Sequence, residues 1–210
     1  MRLQNLLIRR RDLIIVRLDI QKLFEQYNGT VSQKIARKKG IHPTTLFRLV
    51  ERGEVCQKMP GIYTLPDTIF DVYFALQQKY TRSIFSHKTA LFLQGMIDLN
   101  VDGYDLTFPN GSTRKVADGL NVVVHFTPIK NYLDEVTVIQ SPMGNNINVF
   151  SKERTLCEIW SPRLKCDSFV KNQALKKYMN SPNRNLEKLM KNVNHFSVPD
   201  DLVSKIEIMI

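Results

Sequence analysis

The sequence predicts a mixed α/β chain of the α+β kind. A small basic domain of helices and a β-hairpin occupies residues 1–65, and a larger mixed domain ending in helices occupies residues 66–210. Three observations predict it. Apolar spacing switches between the 3.6-residue period of helices and the alternation of strands. Glycine, proline and asparagine mark the joints. The charge is uneven: the 210 residues carry 30 Lys and Arg against 20 Asp and Glu, a net +10 that divides into +8 over residues 1–66, −2 over 67–158 and +4 over 159–210. A hydrophobic fraction of 43% and a charged fraction of 24% suit a folded globular chain. The basic excess makes a polyanion, nucleic acid or an acidic membrane surface, the first partner to consider.

The first helix follows from Ile20, Leu23, Phe24 and Tyr27, which share one face, and Asn28-Gly29 stops it. A second helix fits Ser32 to Lys39, with Thr30 or Ser32 as N-cap and Gly40 at its end. Pro43 suits the first turn of a third helix running to Arg52 and ending at Gly53. Ala36 lies four residues before Gly40 and Leu46 six after it. In a helix-turn-helix the small residue allows close crossing, the glycine makes the turn and the later apolar residue packs the recognition helix inward. Val55 to Lys58 and Ile62 to Thr64, joined at Pro60-Gly61, read as a hairpin. Helix, helix, helix, hairpin is the order of a winged helix-turn-helix.

Leu46, Leu49 and Val50 form the inward stripe of the third helix, leaving Thr44, Thr45, Arg48 and Arg52 outward. Hydroxyls and a forked guanidinium suit base edges and phosphates. Double-stranded DNA is therefore the expected partner. Thr44, Thr45 and Arg48 are expected at bases, and Lys34, Lys38, Lys39, Arg52 and Lys58 at phosphates. One winged helix covers a short half-site, so two copies are expected on an inverted repeat.

In the larger domain, Pro66-Asp67-Thr68 is expected to cap a helix with Ile69, Val72, Tyr73 and Leu76 on one face. Ser83 to Phe85 reads as a strand, and Ser86 as the cap of a helix ended by Gly95. Strands follow at Tyr104 to Phe108, Val122 to Phe126, Val136 to Ile139 and Ile147 to Phe150. Ser151 caps a helix through Trp160, and three helices follow at about 168–179, 185–193 and 200–210. Arg163, Lys165, Lys171, Lys176 and Lys177 form a second basic set. It extends the DNA path, meets another nucleic acid or is a solvated face.

No run of about 18 apolar residues exists, so neither a membrane-spanning helix nor a membrane partner is expected. The first 20 residues are interrupted by Arg9-Arg10-Arg11-Asp12 and lack an export cleavage site. Cys56, Cys157 and Cys166 offer no paired spacing, which fits reduced thiols in the cytoplasm. Dinucleotide, phosphate-loop, D-x-D, [DE]-x-K and G-x-S-x-G patterns are all missing from the sequence. His42, His87, His125 and His195 are scattered, so no metal, cofactor or catalytic residue is expected. Gly111-Ser112 reads as a turn, Ser86-His87 as a helix cap, and Glu153-Arg154 as a charged pair fixing a helix.

Several of these residues resemble a known family. Gly40, Thr45-Leu46-x-Arg48-Leu49-Val50-x-x-Gly53 and Pro60-Gly61-Ile62-Tyr63 look like the N-terminal winged helix of AbiEi-type antitoxins. Phe85-Ser86-His87-x-x-Ala90-Leu91, Phe108-Pro109-x-Gly111 and Val149-Phe150-x-x-Glu153-Arg154-Thr155-Leu156 are similar to later parts of that family. The resemblance spans about residues 15 to 210, and the first 14 fall outside it. It implies an antitoxin of a type IV toxin–antitoxin system linked to abortive phage infection. The N-terminal domain would repress its own operon, and the C-terminal domain would oppose a nucleotidyltransferase toxin without a stable complex. Two alternatives stand beside this: an enzyme in the larger domain that counteracts the toxin by modifying a shared target, and a module that sequesters the toxin.

Overall fold

The computed structural model describes residues 18–98, 102–112, 119–162 and 164–210. The interrupted apolar stretch before residue 17 and Arg163 lie outside the described residues. The chain is a mixture of helices and two sheets and divides into two compact units. The first holds residues up to Thr81 together with Gln140–Ile147, and the second holds Arg82–Ile139 and Asn148–Ile210.

In the first unit, helix α1 (18–26) buries Ile20, Leu23 and Phe24. Its end is the expected Asn28-Gly29, both left-handed (φ 48° and 81°), with the Gly29 N–H donating to the Phe24 carbonyl at 2.7 Å. Strand β1 (Thr30–Ser32) follows, where the sequence suggested only a capping residue. Ser32 does cap α2 (Gln33–Lys38), accepting from the Ile35 N–H at 3.2 Å. Gly40 (φ 80°) makes the turn, and α3 (Pro43–Glu51) begins on its proline. The hairpin β2 (Cys56–Met59) and β3 (Ile62–Thr64) then closes an antiparallel sheet of order β1-β3-β2. Ala36 and Leu46 have no exposed surface.

Helix α4 (Val72–Lys79) corrects the expectation of a cap at Pro66-Asp67-Thr68. Asp71 is the cap, accepting from the Phe74 N–H at 3.0 Å, and Ile69 is 70% exposed instead of facing the core. Asp71 is chosen because its carboxylate is buried and has more than one partner. It also accepts from Ser141 Oγ at 2.5 Å and Asn145 Nδ2 at 2.8 Å, while its own N–H donates to Thr30 Oγ1. These bonds carry the compact unit past Leu65-Pro66, where the sequence suggested a boundary, as far as Thr81.

The second unit contains a five-stranded sheet of order β6-β5-β4-β8-β7. Its strands are β4 (Ile84–Phe85), β5 (Tyr104–Pro109), β6 (Val122–Thr127), β7 (Val136–Gln140) and β8 (Asn146–Phe150). β4 runs antiparallel to β5 and parallel to β8, and β5 runs parallel to β6. Five helices accompany it: α5 (His87–Leu93), α6 (Lys152–Trp160), α7 (Ser168–Met179), α8 (Leu186–Phe196) and α9 (Asp200–Met209). Their apolar faces meet in a core that includes Leu91, Leu156, Leu175, Leu189 and Leu202. Ser151 caps α6 as expected. Among the described residues, no helix is long and apolar enough to cross a membrane.

Among the glycines of the first unit that the structure describes, Gly29 is the most crowded. A Cβ there would stand 2.0 Å from Thr68 Cγ2, whereas one on Gly40 meets nothing within 4 Å. Both glycines have positive φ, so alanine costs about 1–2 kcal/mol at Gly40 from strain alone. Gly29→Ala adds the clash, and its urea-unfolding midpoint is expected to fall clearly further than that of Gly40→Ala.

Candidate nucleic-acid interface and a buried polar cluster

The residues expected to meet DNA are distributed over three elements of the first unit. Lys34 and Lys38 on α2, and Lys39 just beyond it, are exposed. On α3, Thr44, Arg48 and Arg52 are exposed and Thr45 is half-buried, while Leu46 and Leu49 are buried beneath them. Val50, expected inward, is half-buried. Lys58 is the extra residue where the β2–β3 register slips between Gln57 and Met59, and it faces solvent. A bulge turns the strand locally and re-aims its side chain.

The structure adds three residues to this face. His42 caps α3, and its Nδ1 lies 2.8 Å from Thr44 Oγ1, so the threonine hydroxyl is already oriented. Arg37 is exposed one helical turn from Lys34, a spacing that the sequence could have revealed. Phe47, 62% exposed on α3, has the apolar character of a core residue and gave no sequence signal. Lys34, Arg37, Pro60 and Gly61 line a concavity of about 430 Å³ between α2 and the hairpin turn.

The second basic set does not form one free surface. Lys177 is paired with Asp98, and Lys171 is half-buried with its ammonium 5.7 Å from the Trp160 ring. Lys165 and Lys176 are exposed.

A polar cluster that the sequence did not suggest lies inside the second unit. Ser86 stands at the N-cap position of α5, as expected, but its side chain makes no cap hydrogen bond. Its Oγ lies 2.8 Å from His87 Nδ1 and 2.8 Å from Thr107 Oγ1. His87 takes a left-handed backbone (φ 49°), rare for a residue other than glycine or asparagine. Its ring stacks on His125, with centroids 3.7 Å apart and planes 19° apart. His125 Nε2 is 2.8 Å from Asp105 Oδ1, and Asp105 Oδ2 accepts from the Thr89 N–H and hydroxyl. Glu158 Oε2 is buried and lies 3.9 Å from His87 Nδ1, while Glu158 Oε1 accepts from Arg154 Nε at 3.3 Å.

This cluster is not a nucleophile relay. Ser86 has no exposed surface, and Ser86 and Glu158 address the same imidazole nitrogen, whereas a relay needs the two opposite nitrogens. It does gather metal-type donors: a ring nitrogen of His87, one of His125 and a carboxylate oxygen of Asp105 lie within 4.8 Å of one another. Two histidines 38 residues apart are scattered in the sequence and adjacent in the fold. Arg154 is buried, donates to the carbonyls of Asn131 and Asp134, and lies 3.4 Å from the centre of the Phe150 ring. Glu153, its sequence neighbour, accepts instead from the Tyr178 hydroxyl at 2.9 Å and pairs with Lys188.

Burial, helped by the nearby His125, pushes the His87 pKa down to about 3. Burial also pushes Glu158 up to about 7 against the pull of Arg154. Cys157 is buried and its thiol is pushed up to about 12, so it stays protonated and unreactive.

No family model matches this sequence, and no curated protein matches it. Among solved structures, the RV2827C protein from Mycobacterium tuberculosis is similar, with a TM-score of 0.56 and 15% identity over 88% of this chain and 71% of that one. Likeness at that identity concerns the fold alone, a mixed α/β arrangement.

The two buried groups work against each other as pH changes. Between about 3 and its ordinary 6.5, His87 is protonated only in the unfolded chain, so its contribution to stability rises with pH. Between its ordinary 4.5 and about 7, Glu158 keeps a proton only in the folded chain, so its contribution falls as pH rises. Where the windows overlap, the wild-type slope from this pair is expected to be shallow. Glu158→Gln should steepen the rise in unfolding free energy between pH 5 and 6.5, measured by urea titration in chelator; an unchanged slope contradicts the assignment.

Proposed function

We propose that the first unit is a winged helix that binds double-stranded DNA in a sequence-specific manner, with α3 as the recognition helix in the major groove. The observation that carries this is the two-sided character of α3. Leu46 and Leu49 anchor one side, while Thr44, Arg48 and Arg52 face solvent, and the lysines of α2 and Lys58 of the hairpin are exposed in the same unit. These groups offer short hydroxyls and a guanidinium to base edges and cations to phosphates. Two copies would occupy an inverted repeat, because one recognition helix covers only a half-site.

We further propose that the chain acts in the bacterial cytoplasm as an AbiEi-type antitoxin. It would repress its own operon through the first unit and oppose a nucleotidyltransferase toxin through the second without a stable complex. The resemblance of the motifs around Gly40, Pro60-Gly61 and Glu153-Arg154 supports this reading. Growth rescue on co-expressing the full chain with the nucleotidyltransferase encoded beside it tests the antitoxin half. Absence of rescue removes that half and leaves DNA binding standing. Co-purification of the two proteins would favour sequestration.

DNA binding is tested on a duplex enriched from a random pool by the full chain. Arg48→Ala is expected to narrow the affinity gap between the enriched and a scrambled duplex, by about 1–3 kcal/mol for a lost base contact. Lys58→Ala is expected to weaken both duplexes alike and to reduce the salt dependence of binding by about one phosphate contact. Equal losses on both duplexes for both variants, measured by fluorescence anisotropy, contradict these roles.

A further inference from the structure

We propose that His87, Asp105 and His125 form a binding site for a borderline divalent transition metal of the zinc class. The three donors come from separate elements, the start of α5, β5 and β6, and their ligand atoms lie within 4.8 Å of one another. Two imidazoles and a carboxylate suit zinc or cobalt better than magnesium or calcium, which prefer oxygen donors alone. Zinc holds each donor at about 2.0–2.2 Å, so tetrahedral neighbours sit about 3.4 Å apart. The contraction required is therefore small.

The backbone fixes the donor set. Asp105 and Thr107 are two residues apart on β5 and so share one face of the sheet. His125 is the register partner of Thr107 on the parallel neighbour β6, which brings its imidazole to Asp105. His87 reaches the same spot with a left-handed backbone at φ 49°, an uncommon conformation that histidine enters more readily than most side chains do. The His87 imidazole is also held at Nδ1 by the Ser86 hydroxyl, the kind of support that orients metal-binding histidines. Glu158 Oε2 is buried and lies 3.9 Å from His87 Nδ1, a further carboxylate oxygen beside the site.

One change accompanies binding. The two rings lie face to face, so their lone pairs run alongside each other instead of converging. A metal that engages both must turn one ring. His125 is the ring free to do so: its side chain is 18% exposed, and it borders a cavity of about 430 Å³ that it shares with Asp105, Asn121 and Lys88. That cavity also gives the ion its way in.

The test is calorimetric titration of the chelator-treated full-length protein with Zn2+, and absorption spectroscopy with Co2+. One equivalent of Zn2+ is expected to bind, and Co2+ to give visible d–d bands. His125→Gln and His87→Asn are each expected to weaken binding by at least about tenfold. Asparagine tolerates the left-handed backbone at position 87, and His125 is only part-buried, so circular dichroism in chelator should show both variants folded. If His87→Asn does not fold, His125→Gln decides alone. The double variant His42→Ala, His195→Ala removes two exposed histidines and is expected to bind as wild type. No stoichiometric binding, binding unchanged by His125→Gln, or binding lost with the exposed histidines each overturns the site and leaves the cluster a structural hydrogen-bond network.

Discussion

A charge taken out of water has to be met by partners at fixed positions, and each unit is organised around one such charge. In the first unit it is the Asp71 carboxylate, which the Phe74 N–H, Ser141 and Asn145 satisfy together. In the second it is the Arg154 guanidinium, held by two main-chain carbonyls, Glu158 and the face of Phe150. Leaving either charge unpaired in the interior would cost several kcal/mol, a large share of a domain's net stability. The partners are therefore constrained along with the charge. Asp71 decides where α4 begins and which residues belong to its unit. Arg154 decides where Glu158 sits, and Glu158 in turn faces His87.

The surface proposed for DNA and the buried cluster draw on this rigidity in different ways. α3 needs a fixed inner side so that its outer side can present the same groups each time. The closed contacts of Ala36, Leu46 and Leu49 provide that. The polar cluster needs side chains from three elements to hold position. The sheet register, the Ser86 hydroxyl and the Asp105 carboxylate provide that. The basic charge is useful only where nothing answers it, which is why the lysines of α2 and the hairpin stand apart from Lys177, already paired with Asp98.

What the sequence made legible was local. Pro43, Gly40, Ala36 and Leu46 act within a few residues of one another, so the helix pair and its outward face could be read from spacing. Strand β1 could not, because three residues have no periodicity and become a strand only by pairing with Ile62–Thr64. The sequence places the cap of α4 at Pro66-Asp67-Thr68, and partners about seventy positions away fix it at Asp71 instead. Ser86-His87 reads from the sequence as a helix cap, and neighbours in a helix do not face each other. That holds inside a helix, but Ser86 is extended and His87 is left-handed, so the chain folds back and brings the side chains together. His125 joins them through sheet pairing, which leaves no mark on the local sequence.

The central claim, that α3 enters the major groove, is tested most directly by methylation interference. Guanine N7 lies in that groove, and dimethyl sulfate blocks it without touching the phosphates. On a duplex enriched from a random pool by the full chain, the account predicts interference at two clusters of guanines about one helical turn apart, one for each copy. A complex indifferent to N7 methylation, or no duplex enriched over the starting pool, would contradict it.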